Sequence, residues 1–188
     1  MRTFSLHTPL AEADLLPLQA GDRVLLNGYL YTARDIAHQR LAAVLAQGFP
    51  PPFPLEGSVL YYCGPSPAPP GRVIGSAGPT TAGRMDPYTP ALLAAGVRAT
   101  IGKGPRSTAV HQAMGRYRAV YLAATGGTGA LLAQTIIAVE LVAYPELGPE
   151  AIYRLQVVDF PVIVAIDLAG RDLYREVRQQ TVCGDTGC

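Results

Sequence analysis

The stretch Gly75–Gly104, GSAGPTTAGRMDPYTPALLAAGVRATIGKG, decides how the rest of the chain is read. It passes from a glycine-rich connection through a helix start to a short apolar strand, the repeating unit of an α/β fold. Asp86 followed by Pro87 opens the helix. The carboxylate accepts free backbone N–H groups, and proline at the first helical position gives up a donor that would be unpaired anyway. Leu92 and Leu93 give this helix an apolar side, and Gly96 suits its left-handed exit. Ahead of it, the glycines let backbone amides approach a ligand closely. The hydroxyls of Thr80 and Thr81 and the guanidinium of Arg84 add donors suited to a carboxylate or phosphate. A plain Gly/Pro/Thr-rich connection is the competing reading of the same residues.

Working outward, strands and helices alternate around glycine-rich turns. The apolar patterning predicts strands at Thr3–His7, Arg23–Gly28, Ser58–Tyr62, Ala99–Ile101, Ala119–Ala123, Ile137–Ala143, Tyr153–Val158 and Val162–Asp167. It predicts helices at Asp35–Gln47, Pro87–Ala95, Pro105–Gly115, after Gly129, and at Asp172–Gln180. The proline-rich breaks FPPPFP and PSPAPPG are short and lie between apolar segments, so they read as ordered loops within one domain spanning residues 1–188. With 49% hydrophobic and 15% charged residues, 188 residues bury a substantial single core. A formal net charge of +1 argues against general nucleic-acid or membrane-surface binding. No apolar run approaches the ~20 residues needed to span a bilayer, and acids interrupt MRTFSLHTPLAEADLL where an export signal needs an apolar stretch. The expectation is a cytoplasmic protein.

A second cationic centre lies in LYTARDIAHQR, Leu30–Arg40. Thr32 followed three residues later by Asp35 has the form of a capping box, which places Arg34 in the first turn of a helix. Its charge there adds to the positive end of the helix dipole and attracts an anion; a solvated arginine packed on Tyr31 is the alternative. Lys103 follows an apolar strand and precedes Gly104 and Pro105, at the sheet end where α/β folds bind ligands, or it is merely a turn residue. The cluster Thr125–Gly129 either contributes amides to the same crevice or only turns the chain. His38 reads as a packing or capping residue, and His7 and His111 have no evident partners.

The whole pattern resembles the beta subunit, or C-terminal domain, of the iron–sulfur-dependent class I fumarate hydratase and L-tartrate dehydratase family. The resemblance is carried by GPTTAGRMDPYTP with IGKG, by LYTARDIAHQR, by YLAATGGTGALLAQ at Tyr121–Gln134, and by VELVAYPELGPEAIYRLQVVDFP at Val139–Pro161. It implies a layered β/β/α swivelling domain. It also implies reversible dehydration of (S)-malate to fumarate, with L-tartrate dehydratase and mesaconate hydratase as the neighbouring activities. Thr80 matches the family's catalytic base, and Arg34, Arg84 and Lys103 match its substrate-binding positions. The [4Fe–4S] cluster would be carried by a partner alpha subunit, with an α2β2 complex expected, and this chain would bind no metal. Cys63 falls in a strand. Cys183 and Cys188 fall in a polar tail, where the spacing CGDTGC is open to plain surface thiols, a stray metal or a mutual disulfide. Asp86 and Lys103 stand slightly closer together than expected for the single-chain fumarases. Two non-enzymatic readings remain beside this one, a small-anion-binding module and a purely structural subunit; an isolated chain is expected to expose an apolar face and self-associate.

Overall fold

The computed structural model describes residues 1–178. Its parallel strands are β1 (Thr3–His7), β2 (Arg23–Thr32), β3 (Val59–Tyr61), β4 (Ala99–Gly102) and β5 (Val120–Ala123), side by side in that order. Two antiparallel strands, β6 (Ile136–Ala143) and β7 (Ile152–Ile166), complete the sheet. Because β7 pairs with β5 and also with β2, the strands β2, β3, β4, β5 and β7 close into a ring. The helices are α1 (Glu12–Leu15), α2 (Asp35–Ala46), α3 (Thr89–Ala94), α4 (Thr108–Tyr117) and α5 (Gly129–Gln134), with 3₁₀ turns at Ala82–Met85 and Pro145–Glu150.

Alternation along the parallel strands sorts side chains into two cores. Val59, Tyr61 and Cys63 point into a core shared with Leu155, Val157, Phe160, Val162 and Val164 of β7. Leu60 and Tyr62 face the other way, onto Ala37 and Leu41 of α2, Leu92 and Leu93 of α3, and Val110 and Met114 of α4. A parallel sheet buried on both faces, by strands on one side and helices on the other, is the β/β/α layering. Each fully buried leucine or valine contributes about 1.5–3 kcal/mol relative to exposure, so both layers are held mainly by apolar burial.

Several boundaries differ from the sequence expectation, each for a local reason. Gly28, at φ +100°, does not end its strand but lies beside a bulge in β7, where Val158 and Asp159 oppose Asn27 alone, and β2 runs on to Thr32. In this bulge Asp159 adopts φ +51° and donates its backbone N–H to Asn27 Oδ1 at 3.0 Å, so the two expected strands around DFP are one bent 15-residue strand. The Thr32 hydroxyl caps nothing: it donates to the Ala151 carbonyl at 3.3 Å and accepts the Tyr153 N–H at 3.0 Å. Arg34 therefore stands at the N-cap of α2, just ahead of its first turn. Asp86 does not cap α3 either, since its carboxylate is engaged by Arg106 and Ser107; the chain first makes the Ala82–Met85 turn and α3 begins at Thr89. At its far end α3 leaves through Gly96 at φ +107°, with Val97 N–H bonded to Leu92 O and Gly96 N–H to Leu93 O, a Schellman closure. Ser107, not Pro105, opens α4, accepting the Val110 N–H. Residues 173–178 are helical; the rest of the expected terminal helix, with Cys183 and Cys188, lies outside the described residues.

Candidate active site

The carboxyl ends of β2, β3, β4 and β5 lie side by side, and each leads into a segment carrying an expected site residue or glycine cluster. Backbone bonds lace these segments together. Thr80 donates its N–H to the Tyr62 carbonyl at 2.6 Å, Lys103 donates to the Thr80 carbonyl at 3.2 Å, and Ala82 donates to the Lys103 carbonyl at 2.8 Å. The GPTT segment thus extends the sheet by a parallel bridge, Thr81 to Lys103. Next to it, Ala77 N–H bonds to Gly129 O at 3.1 Å, and a Cβ on Gly129 would stand 2.9 Å from the Gly78 nitrogen. That close approach requires glycine at 129. A Cβ on Gly126 would lie 3.8 Å from Lys103 Nζ, so the Lys103 ammonium reaches the Thr125–Gly129 loop.

Arg34 and Arg84 meet on a carboxylate. Arg84 Nε lies 2.8 Å from Asp35 Oδ1, and Arg34 Nε lies 3.8 Å from Asp35 Oδ2. On its other side Arg34 Nη2 is 3.3 Å from Glu150 Oε1. Room for the Arg34 stem depends on Gly64, where a Cβ would come 2.8 Å from Arg34 Cδ. Arg34 Nε, Asp35 Oδ2 and Glu150 Oε2 are buried yet make no hydrogen bond among the described residues. Buried polar atoms left in this state are costly, and they concentrate where a further group is to be met. Side-chain exposure is 24% for Arg34 and 50% for Arg84, and Lys103 is exposed, so all three cations reach solvent. Neither the Thr80 nor the Thr81 hydroxyl has a hydrogen bond among the described residues; Thr80 is half-buried and Thr81 exposed. Guanidiniums gathered on one carboxylate, with N–H groups to spare, are suited to holding a small anion.

Sequence reasoning missed one residue of this region. Arg106, with a fully buried side chain, donates from Nε to Asp86 Oδ1 at 2.7 Å, from Nη1 to Tyr62 Oη and Thr100 Oγ1, and from Nη2 to Thr89 Oγ1 at 2.8 Å. Ser107 N–H takes the second Asp86 oxygen at 2.6 Å. Arg106 thereby ties the end of β3, β4, α3 and the start of α4 together, and it reaches the GPTT segment through Tyr62, whose carbonyl accepts the Thr80 N–H. Its only signal in the sequence was a charge between Pro105 and a helix, twenty residues from its partner. His38 braces the same region: its Nδ1 meets the Arg34 carbonyl at 2.9 Å and its ring stands edge-on to Tyr62. Burial holds its pKa down at about 4, and because the carbonyl only accepts, Nδ1 carries the proton of the neutral ring. His111, for which the sequence offered no partner, is paired with Asp172 Oδ2 at 2.7 Å, across sixty-one residues.

The iron–sulfur cluster implied by the resemblance finds no ligand set among the described residues. Cys63 is sealed in the apolar core between β3 and β7, where burial pushes its thiol up to about 12, and no three His, Cys, Asp or Glu side chains are grouped to hold a metal. Among the described residues no helix is long and apolar enough to cross a membrane.

The profile of the family described as Fumarase C-terminus matches residues 1–177. The chain is 43% identical over 156 residues to fumarate hydratase 2 of Leishmania major, a match covering 82% of this chain and 28% of that protein. It is 40% identical over 182 residues to the aerobic class I fumarate hydratase of Escherichia coli K12, covering 95% and 33% respectively. This chain therefore spans about a third of the length of these relatives. A Methanocaldococcus jannaschii protein named as a putative L(+)-tartrate dehydratase subunit beta is 38% identical over 177 residues, and there the match covers 91% of both chains. On the extent of these matches and the β/β/α fold, the chain belongs to the fumarase C-terminus family.

Proposed function

We propose that this chain supplies one wall of the active site of a two-chain hydro-lyase that reversibly dehydrates (S)-malate to fumarate. The observation that carries the reading is the gathering of Arg34 and Arg84 on Asp35, together with the backbone hydrogen bond that joins Lys103 to Thr80 in the same GPTTAGR segment as Arg84. Arg34 and Arg84 grip the substrate carboxylates. Thr80 takes the proton from the carbon next to a carboxylate, a weak carbon acid for which an unaided threonine is too weak a base. Lys103 and the two arginines lower the energy of the Thr80 alkoxide and of the doubly negative carboxylate that forms as the proton leaves. Asp35 and Glu150 offset part of this charge, and they fix where the guanidiniums stand.

Among the described residues no three His, Cys, Asp or Glu side chains are grouped as an iron–sulfur cluster would need. The half of the chemistry that carries the hydroxyl away belongs to an alpha-type partner. The relative named as a subunit beta, of nearly the same length, supports separately encoded chains and keeps L-tartrate as the second candidate substrate. The two substrates differ by one hydroxyl, which a site discriminates through a few polar contacts.

Co-expression with the alpha-type chain, anaerobic purification and assay with (S)-malate and with L-tartrate test the reading. The complex should turn over at least one of them, and this chain alone should turn over neither. Activity of the isolated chain, or an inert complex, would overturn it.

A further inference from the structure

We propose that Tyr174, at the start of the helical segment 173–178, is a positioning residue for Lys103. This rests on the reading that Lys103 holds substrate. Lys103 is exposed on a long flexible stem, and the residue after it, Gly104, takes φ +84°, where the backbone has little steric guidance of its own. Two phenols supply that guidance. Gly104 N–H donates to Tyr174 Oη at 3.0 Å, and Tyr121 Oη donates to the Gly104 carbonyl at 2.9 Å. The two rings stack with centroids 6.4 Å apart. The N–H and carbonyl of Lys103 itself are held by the Thr80 carbonyl and the Ala82 N–H. The GPTT segment thus fixes the peptide before Lys103, that segment and Tyr174 together fix the Lys103–Gly104 peptide, and Tyr121 fixes the Gly104–Pro105 peptide that follows.

Tyr174 is itself anchored. Its N–H donates to Asp172 Oδ1 at 2.8 Å, Asp172 Oδ2 is paired with His111 of α4 at 2.7 Å, and Asp172 bridges to Ile166 at the end of β7. The contact at Gly104 is made across seventy residues of sequence. The Tyr174 hydroxyl makes no other hydrogen bond among the described residues, so its one polar task is to orient the turn behind the lysine.

The test is Tyr174→Phe in the complex with the alpha-type chain, alone and combined with Lys103→Ala, with kcat and KM for (S)-malate and L-tartrate and a thermal melt for each variant. Loss of one neutral hydrogen bond should lower kcat/KM about three- to tenfold on the wild-type background, chiefly through KM. On the Lys103→Ala background the same substitution should change kcat/KM by less than about twofold, because the group it positions is gone. Equal losses on both backgrounds would show a general structural role and overturn the proposal. So would wild-type constants for Tyr174→Phe beside a damaged Lys103→Ala. If Lys103→Ala itself keeps wild-type kcat/KM, the placement of Lys103 in the site falls, and the proposal with it.

Discussion

Asp86→Asn is a nearly isosteric change whose effect is readable from the structure. Oδ1 of Asp86 accepts from Arg106 Nε at 2.7 Å and Oδ2 accepts from Ser107 N–H at 2.6 Å. An asparagine offers one acceptor oxygen, so in either flip its amide NH₂ faces a donor. The Arg106 charge, with 0% side-chain exposure against 12% for Asp86, also loses its counter-ion. Removing one partner of such a buried pair destabilises a fold by about 3–5 kcal/mol. That is a large part of the ~5–15 kcal/mol typical of a domain. At about 2–4 °C per kcal/mol for a chain of this size, the melting temperature should fall by about 6–20 °C. Urea titration and thermal melts followed by circular dichroism read it directly. The double variant Asp86→Leu, Arg106→Met should lose less than the sum of its single changes, since neither charge is then stranded. A loss below about 1 kcal/mol for Asp86→Asn, the scale of an exposed pair, would refute the claim that this network is a buried anchor of the site.

Replacing the site arginines separates their weights. Arg34→Met and Arg84→Met should each lower turnover and weaken substrate binding by about tenfold or more, with Arg34 the larger because it is the more buried of the two; steady-state constants at wild-type level would remove that residue from the site. His38 predicts a pH dependence of stability. Its folded pKa of about 4 lies below the ordinary value of 6.5, so the unfolded chain takes up the proton first. The stabilisation is complete above about pH 6.5 and is lost as pH falls toward 4, to a total of about 3 kcal/mol. Urea unfolding at pH 7 and pH 5 should show this slope, and His38→Gln should flatten it; an unchanged slope would assign the acid sensitivity elsewhere.

What was legible in the sequence was local chemistry; what escaped was contact between distant residues. Gly96 was readable because a left-handed helix exit needs a residue without a Cβ, and the Schellman closure forms there. The strands β1, β4, β5 and β6 lie within a residue of their expected ends because apolar runs between turns set them locally. Asp86 was misread because the local rule for an acid before proline is a helix cap, whereas Arg106 and Ser107 outcompete the helix for its oxygens. Thr32 went the same way, drawn to β7 by Ala151 and Tyr153. The break between the two strands expected on either side of DFP is a bulge, since Asn27, 132 residues earlier, supplies the acceptor that lets Asp159 bend the strand without ending it. Asp35 illustrates both sides. Its place at the head of α2 followed from the pattern, but its use as the carboxylate between Arg34 and Arg84 depends on the GPTT segment folding over β3 and β4.

Turnover of the Thr80→Val complex at saturating (S)-malate, measured beside Thr81→Val, tests most directly the claim that this chain brings the base to a shared site. The substitution is close to isosteric, and the Thr80 hydroxyl has no hydrogen bond among the described residues that folding would lose. Assembly and KM should therefore stay near wild type, while kcat falls by about 10²–10⁴-fold, the usual contribution of a general base. Thr81→Val should keep most of its turnover. Wild-type kcat in Thr80→Val, or a collapse confined to Thr81→Val, would contradict the assignment of the proton-abstracting group.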